Sequence, residues 1–417
     1  MFRFLKEKIS KHNLHLKPIF LFALVLFFWT IYDTILTYIT PLLMEEKGLS
    51  VSMIGLIIGT SSISGAIFDF FICKIFKNSD FRRMFLVMFA ICLFYPLLLS
   101  QAKTIWLFLV AVAVWGIYYD LYAFGAFNFV GRYTKKEEHA ANFGIIQFFR
   151  ALADVIGPFV AGLVIASGVY WHVFAVSWFF LVIGIGLFFI LILIIKKYPF
   201  AREDDQCVRK RNFLLEIHLW KKLATMMTPV LFVTFFIYFV ESFFWTLAPL
   251  FAESAHFGRF GGLFLTAYLV PALFVGWIVG DITKRFGKKR TAIVGILVSS
   301  IILVSFLHIT NPILLIISVF ISSCFISISL PAINGVYADY ISEAPQVDSE
   351  IEGIEDFLFN LSYVIGPIAA GVIADLADIP TAFTFLGLLG MALALVLLVV
   401  TPKSMHINIS PKELQET

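Results

Sequence analysis

Apolar stretches of about 20 residues or more recur along this chain from one end to the other, and each is long enough to cross a ~30 Å hydrocarbon core as a helix. Inside lipid no water satisfies backbone N–H and C=O groups, so a spanning stretch of this length must form its own hydrogen bonds as a helix. Twelve such spans are expected, over residues 18–44, 50–76, 83–101, 104–130, 140–167, 171–195, 223–251, 261–283, 291–309, 312–340, 353–376 and 381–401. With 60% hydrophobic and 14% charged residues, the composition excludes a soluble globule. The expected fold is an all-α, multi-pass integral membrane protein. The opening MFRFLKEKIS is basic, but the apolar run behind it is too long for a secretory signal and lacks a small-residue cleavage site, so it is expected to stay as the first helix.

Charge predicts the orientation. With the N-terminus inside, 27 of the 31 lysines and arginines fall on the cytoplasmic side; only Lys47, Lys103 and Arg259 lie outside, and Arg150 falls within a span. Both termini are therefore expected in the cytoplasm. The net charge of +3 reflects this topology and gives no reason to expect nucleic acid as a partner. Cys73, Cys92, Cys207 and Cys324 form no CxxC pair and none falls on an outside loop, so neither a disulfide framework nor a metal site is indicated. No cofactor is expected.

The charged segment 196–222 separates two sets of six spans, giving an N-terminal bundle over 1–195 and a C-terminal bundle with its tail over 223–417. Within this linker Phe213, Ile217 and Trp220 share a helical face opposite Glu216, Lys221 and Lys222, the pattern of a short helix lying in the membrane interface. The two sets also repeat one another. GIIQFFRALADVIGPFVAG at 144–162 aligns without gaps on GIEDFLFNLSYVIGPIAAG at 353–371, with ten of 19 positions identical. FFWTIYDTILTYITPL at 27–42 has its counterpart in FFIYFVESFFWTLAPL at 235–250, where Asp33 matches Glu241.

Two parallel six-helix halves are the plan of a transporter that rocks about a site near the bilayer midplane. The segment GDITKRFGKKR at 280–290 resembles the signature loop of the major facilitator superfamily, with Gly280, Arg285, Gly287, Lys288 and Lys289 at the expected spacing; in the first half only Gly65 and Asp69 of GAIFD fit. The resemblance implies two pseudo-symmetric six-helix halves and a loop in which charges meet where the halves part and rejoin, with glycine where helices approach closely. The Gly157-Pro158 and Gly366-Pro367 pairs stand at matched places inside helices, where a bend is expected, either as fixed structure or as a moving joint.

Five ionisable residues fall well inside spans: Asp33, Asp120, Arg150, Asp154 and Glu241. Each costs roughly 2.5–3.5 kcal/mol on a lipid-facing helix centre, so they are expected to face protein. By helical rise, Asp120 and Arg150 sit about ten residues from the cytoplasmic ends, and Asp33 and Asp154 about fifteen. Arg150 and Asp154 are four apart on one face, so Arg150 is expected to pair with Asp154, with Asp120, or with each in turn. Four carboxylates share one arginine. A carboxylate without a cation in low dielectric tends to take up a proton, so these acids are the candidate proton carriers, with Asp33 and Glu241 foremost because they are repeat counterparts. The alternative is that they are permanently neutral hydrogen-bond donors.

The expected cavity wall comprises Tyr32, Tyr118, Tyr119, Tyr122, Tyr238 and Trp245, with Ser323, Ser327 and Asn334 in the tenth span and Asp356, Asn360 and Tyr363 in the eleventh. The expected function is proton-coupled secondary transport of a small organic molecule by alternating access, by a monomer in a bacterial-type plasma membrane, with small-molecule substrate, protons and lipid as its only partners. The acid-rich aromatic interior and the similarity of YDTILTYITP to the first helix of the superfamily's drug antiporters favour efflux of amphipathic or cationic compounds, although AVWGIYYDLYAFGAF lacks the arginine of that branch. Proton symport of a sugar or similar nutrient and a non-transporting receptor or scaffold stay open. An enzyme is not expected: no nucleophile stands with a base.

Overall fold

The computed structural model describes residues 16–75, 80–134, 138–165, 171–196, 213–254 and 257–402. Among them the secondary structure is helical. The first six helices are α1 (Leu16–Glu46), α2 (Val51–Ile75), α3 (Phe81–Ser100), α4 (Ile105–Tyr133), α5 (His139–Ile165) and α6 (Trp171–Lys196). The rest are α7 (Phe213–Ser254), α8 (Gly262–Leu269), α9 (Ala272–Val275), α10 (Val279–Phe286), α11 (Lys288–Val304), α12 (Pro312–Glu343), α13 (Asp348–Leu376) and α14 (Ile379–Val400). Among the described residues eleven are long and apolar enough to cross a membrane, and the broken stretch from α8 to α10 passes the same test only as a bent pair.

That stretch corrects the expected continuous span 261–283. It bends by 72°. Pro271 has no N–H to donate, and the amides that follow turn back to carbonyls three residues earlier: Leu273 to Val270 at 3.1 Å, Phe274 to Pro271 at 3.1 Å, Trp277 to Phe274 at 3.2 Å. A second correction concerns 213–222. These residues are the first turns of the 42-residue α7, not a separate interfacial helix. Trp220 packs beside Phe357 of α13, ring centroids 6.3 Å apart. Residues 197–212 and the side chains of Phe213 and Ile217 lie outside the described ones.

Internal contacts divide the chain into two compact units. The first comprises Met1–Gly48, Ile63–Asp205 and Gly258–Thr266, the second Leu49–Ser62, Gln206–Phe257 and Ala267–Thr417. The division follows the two halves except at α2 and α8, each of which is shared.

In the first unit α1 packs along α5 and α6, and α3 along α4. Phe22 stacks on Phe129 at 3.9 Å, and Phe81, Phe85 and Phe188 close the same cluster. In the second unit α7 packs along α13, and α11 lies against both α12 and α14. There Phe383 gathers Phe243, Phe244, Phe251 and Phe306 at 4.9–5.8 Å.

The repeat extends to single contacts. Gly157 of α5 rests on the Thr34 hydroxyl of α1, leaving no room for a Cβ, and Gly366 of α13 rests in the same way on the Ser242 hydroxyl of α7. Thr34 and Ser242 each follow the paired acids Asp33 and Glu241 in sequence. The glycines of the Gly-Pro pairs therefore serve close helix packing, and α5 and α13 continue through Pro158 and Pro367.

Candidate functional site

The polar core of the first unit is built on Asp33, in α1 and only 5% exposed. Its Oδ1 accepts hydrogen bonds from the Tyr118 hydroxyl at 2.6 Å and from Trp115 Nε1 at 3.1 Å, both on α4. Trp115, Tyr118, Tyr119 and Tyr122 fall at i, i+3, i+4 and i+7, one face of that helix, which brings all four toward α1 and α5. Arg150 of α5 donates from Nη2 to the Tyr119 hydroxyl at 2.7 Å and lies over the Tyr122 ring, 4.7 Å from its centroid. Tyr122 in turn stacks on Trp29 at 4.6 Å. The result is a continuous path Trp29–Tyr122–Arg150–Tyr119 beside the Asp33–Tyr118–Trp115 cluster.

Beside the acids expected to pair with it, Arg150 has aromatic partners: a charge-assisted hydrogen bond to the Tyr119 hydroxyl and a cation–π contact on the Tyr122 ring. Asp154, one turn away, is partly exposed, and its carboxylate interacts electrostatically with the Arg150 guanidinium. Asp120 lies against α2, its Oδ2 2.8 Å from where a Cβ at Gly65 would stand. Tyr32 is not on a cavity wall. It is fully buried, donating to the Cys92 carbonyl at 2.7 Å.

Two cavities stand out among the described residues of the second unit. The larger, about 320 Å³, is lined by Glu241 of α7, Tyr268 and other residues of the broken α8–α10 stretch, and Ser327 and Asn334 of α12. The smaller, about 230 Å³, is lined by Tyr238, Glu352, Glu355, Asp356 and Phe359. Tyr238 meets Phe359 edge to face at 5.0 Å, and Tyr363 is 4.7 Å from Phe359. Asn360 donates to the Asp356 carbonyl one turn back at 3.1 Å. Ser323, 1% exposed, donates to the Tyr268 carbonyl beside the helix break, so it holds the break in place and is not a wall residue. Trp245 lines neither cavity.

Around the basic loop, Gly287 has φ +83°, a left-handed backbone that glycine adopts without strain, and it separates α10 from α11. Lys288 Nζ bonds Asp339 Oδ1 at 2.6 Å and the Gly335 carbonyl at 3.0 Å, fastening the loop to α12. Arg285 is exposed over Phe286, and no side chain or neighbouring backbone stands within 4 Å of a Cβ at Gly280, which corrects the expected close approach there. The side chain of Asp69 lies outside the described ones.

Sequence reasoning passed over Trp29, Trp115, Tyr268, Glu352 and Glu355. Trp115 carried a usable signal, three residues before Tyr118 on the same face. Tyr268 carried one too, three residues before the proline that breaks its helix.

A family model described as Major Facilitator Superfamily matches residues 19–347 and 230–416. No curated protein matches the sequence. Among solved structures, a bacterial homologue of iron transporter ferroportin in an inward-facing state is similar with TM-score 0.71 at 12% identity, over 92% of this chain and 98% of that one. A bacterial homologue of the human lysosomal transporter Spinster aligns with TM-score 0.69 at 13% identity, over 94% and 96%. The nucleoside transporter NupG aligns with TM-score 0.64 at 14% identity, over 93% and 98%. At these identities the likeness is one of fold.

Proposed function

The chain belongs to the major facilitator superfamily of membrane transporters, and from that premise we propose that it is a secondary active transporter that moves a small organic molecule by alternating access, coupled to protons. The direction that fits its acidic, aromatic interior is efflux of amphipathic or cationic compounds. The membrane is the plasma membrane of a bacterium, with both termini inside, and the working unit is a monomer of two six-helix halves joined by 196–222.

One observation carries the coupling: a buried carboxylate, Asp33, held by Tyr118 and Trp115 in a polar cluster beside the half-buried Arg150, whose guanidinium donates to Tyr119 and lies over Tyr122. A buried acid gains or loses a proton as its surroundings change between conformations, and this links proton movement to the conformational cycle. Asp154, one turn from Arg150, is the second acid available to that cation. Protonation of either changes the net charge that the cluster holds, and Tyr119 and Tyr122 keep Arg150 in place throughout.

The test uses Asp33→Asn in proteoliposomes. Both donors meet the same oxygen of Asp33, so the amide carbonyl of asparagine accepts both bonds and imitates the protonated acid. Transport driven by an imposed pH gradient is expected to disappear, while exchange of substrate between compartments continues. Uphill transport at the wild-type rate in this variant would remove Asp33 from the coupling.

A further inference from the structure

Asp33 and Glu241 are repeat counterparts, yet their surroundings differ. Asp33 is enclosed, its Oδ1 already bonded twice, whereas Glu241 is partly exposed on the wall of the 320 Å³ cavity in the second unit. Of the twelve residues that line this cavity none is basic. Ser327, Asn334 and Tyr268 supply neutral polar groups, and the remaining eight are apolar.

Leu269, Ala272, Val275 and Gly276, on either side of Pro271 in the broken stretch, all line the cavity. A carboxylate thus faces one largely apolar chamber with no basic residue on its wall, an arrangement that favours a positive charge. The volume is at the small end of ligand cavities, which run from about 300 to 1,000 Å³.

We propose that this cavity binds the charged head of a monovalent amphipathic organic cation, an amine or quaternary ammonium, with Glu241 as its counter-ion and the apolar walls around its hydrocarbon arm. This rests on the transporter reading above and divides the labour between the paired acids: Asp33 serves coupling, Glu241 serves recognition. Asn334, exposed and on the wall, marks the chamber.

The test probe is benzyltrimethylammonium, titrated calorimetrically into purified full-length protein in detergent, where no gradient is present. The wild type is expected to bind it, and Glu241→Gln to raise the Kd at least about tenfold, equivalent to about 1.4 kcal/mol. Location is read separately. With the four native cysteines replaced, Asn334→Cys is labelled with a thiol reagent, and the probe is expected to slow labelling in this variant but not in Asn334→Cys with Glu241→Gln. Absence of binding by the wild type, an unchanged Kd in Glu241→Gln, or equal protection in both labelled variants would each overturn the proposal. If Glu241→Gln does not fold, Glu241→Asp and the labelling of Asn334→Cys alone decide, because a probe that fails to protect position 334 is bound elsewhere. Since binding needs no pH gradient, loss of proton-driven transport in the wild type would remove the coupling and leave this site standing. Proton-driven transport with Glu241-independent binding would do the reverse.

Discussion

Asp375, near the end of α13, caps a helix more than 300 residues away in sequence. Its Oδ1 accepts from the Val51 amide at 3.0 Å and its Oδ2 from the Ser52 amide at 2.8 Å, satisfying two of the four N-terminal N–H groups that α2 cannot bond internally. Around this cap the backbones are in close contact: Gly55 lies on the Pro367 carbonyl, Gly59 on the Val364 carbonyl, and Gly371 on Val51 and Ser52. Replacing an N-capping aspartate by alanine costs about 0.5–2 kcal/mol, and because Asp375 is exposed the effect of Asp375→Ala should lie near 1 kcal/mol. At RT of about 0.59 kcal/mol that is roughly a fivefold rise in the opened population. Hydrogen exchange followed by mass spectrometry reads it directly: the Val51 and Ser52 amides should exchange about fivefold faster, with amides in the middle of α13 unchanged. Asp375→Asn, which keeps one acceptor and loses the charge, should give a smaller acceleration. Exchange at Val51 and Ser52 within twofold of wild type in Asp375→Ala would mean that water replaces the carboxylate without loss, and the cap would not hold α2 to α13. Under alternating access the variant should also move faster into any state in which these helices separate.

Further outcomes follow from single contacts. Gly366→Ala drives a methyl into the Ser242 hydroxyl and should lower stability by about 1–3 kcal/mol, with partial recovery in the double variant Gly366→Ala, Ser242→Ala, measured by thermal unfolding. Tyr119→Phe removes the hydrogen bond that Arg150 makes to α4 and should cost about 1–3 kcal/mol, whereas unchanged thermal stability would mean that Arg150 finds another acceptor. Arg150→Ala should abolish transport, and normal transport would remove the cation from the cycle. Single cysteines at Lys47 and Lys103 should react with an impermeant thiol reagent from outside intact cells, while one at Lys288 should not; the reverse pattern would invert the topology.

Much of the architecture was legible in the sequence because lipid leaves few choices. A stretch of twenty apolar residues must be a helix, so the number of crossings and the two-fold repeat could be read from hydropathy and from the aligned segments at 144–162 and 353–371. The glycines of that repeat marked close packing, and Thr34 and Ser242 are where it occurs. The break in the stretch 261–283 was not legible although Pro271 stands in it, since hydropathy reports only that a segment suits lipid, and an interrupted helix depends on neighbours such as Ser323 to satisfy the loosened backbone. The aromatic partners of Arg150 were beyond sequence reasoning for a similar cause. Spacing of four made Asp154 reachable, but a guanidinium on a long side chain settles where its donors and its face are best met, and only the packing of α4 against α5 puts Tyr119 and Tyr122 there. The paired acids show the same limit: the repeat identifies Asp33 and Glu241 as equivalent, and tertiary structure alone makes one an enclosed acceptor and the other the wall of a cavity, because burial and hydrogen-bond partners come from helices distant in sequence.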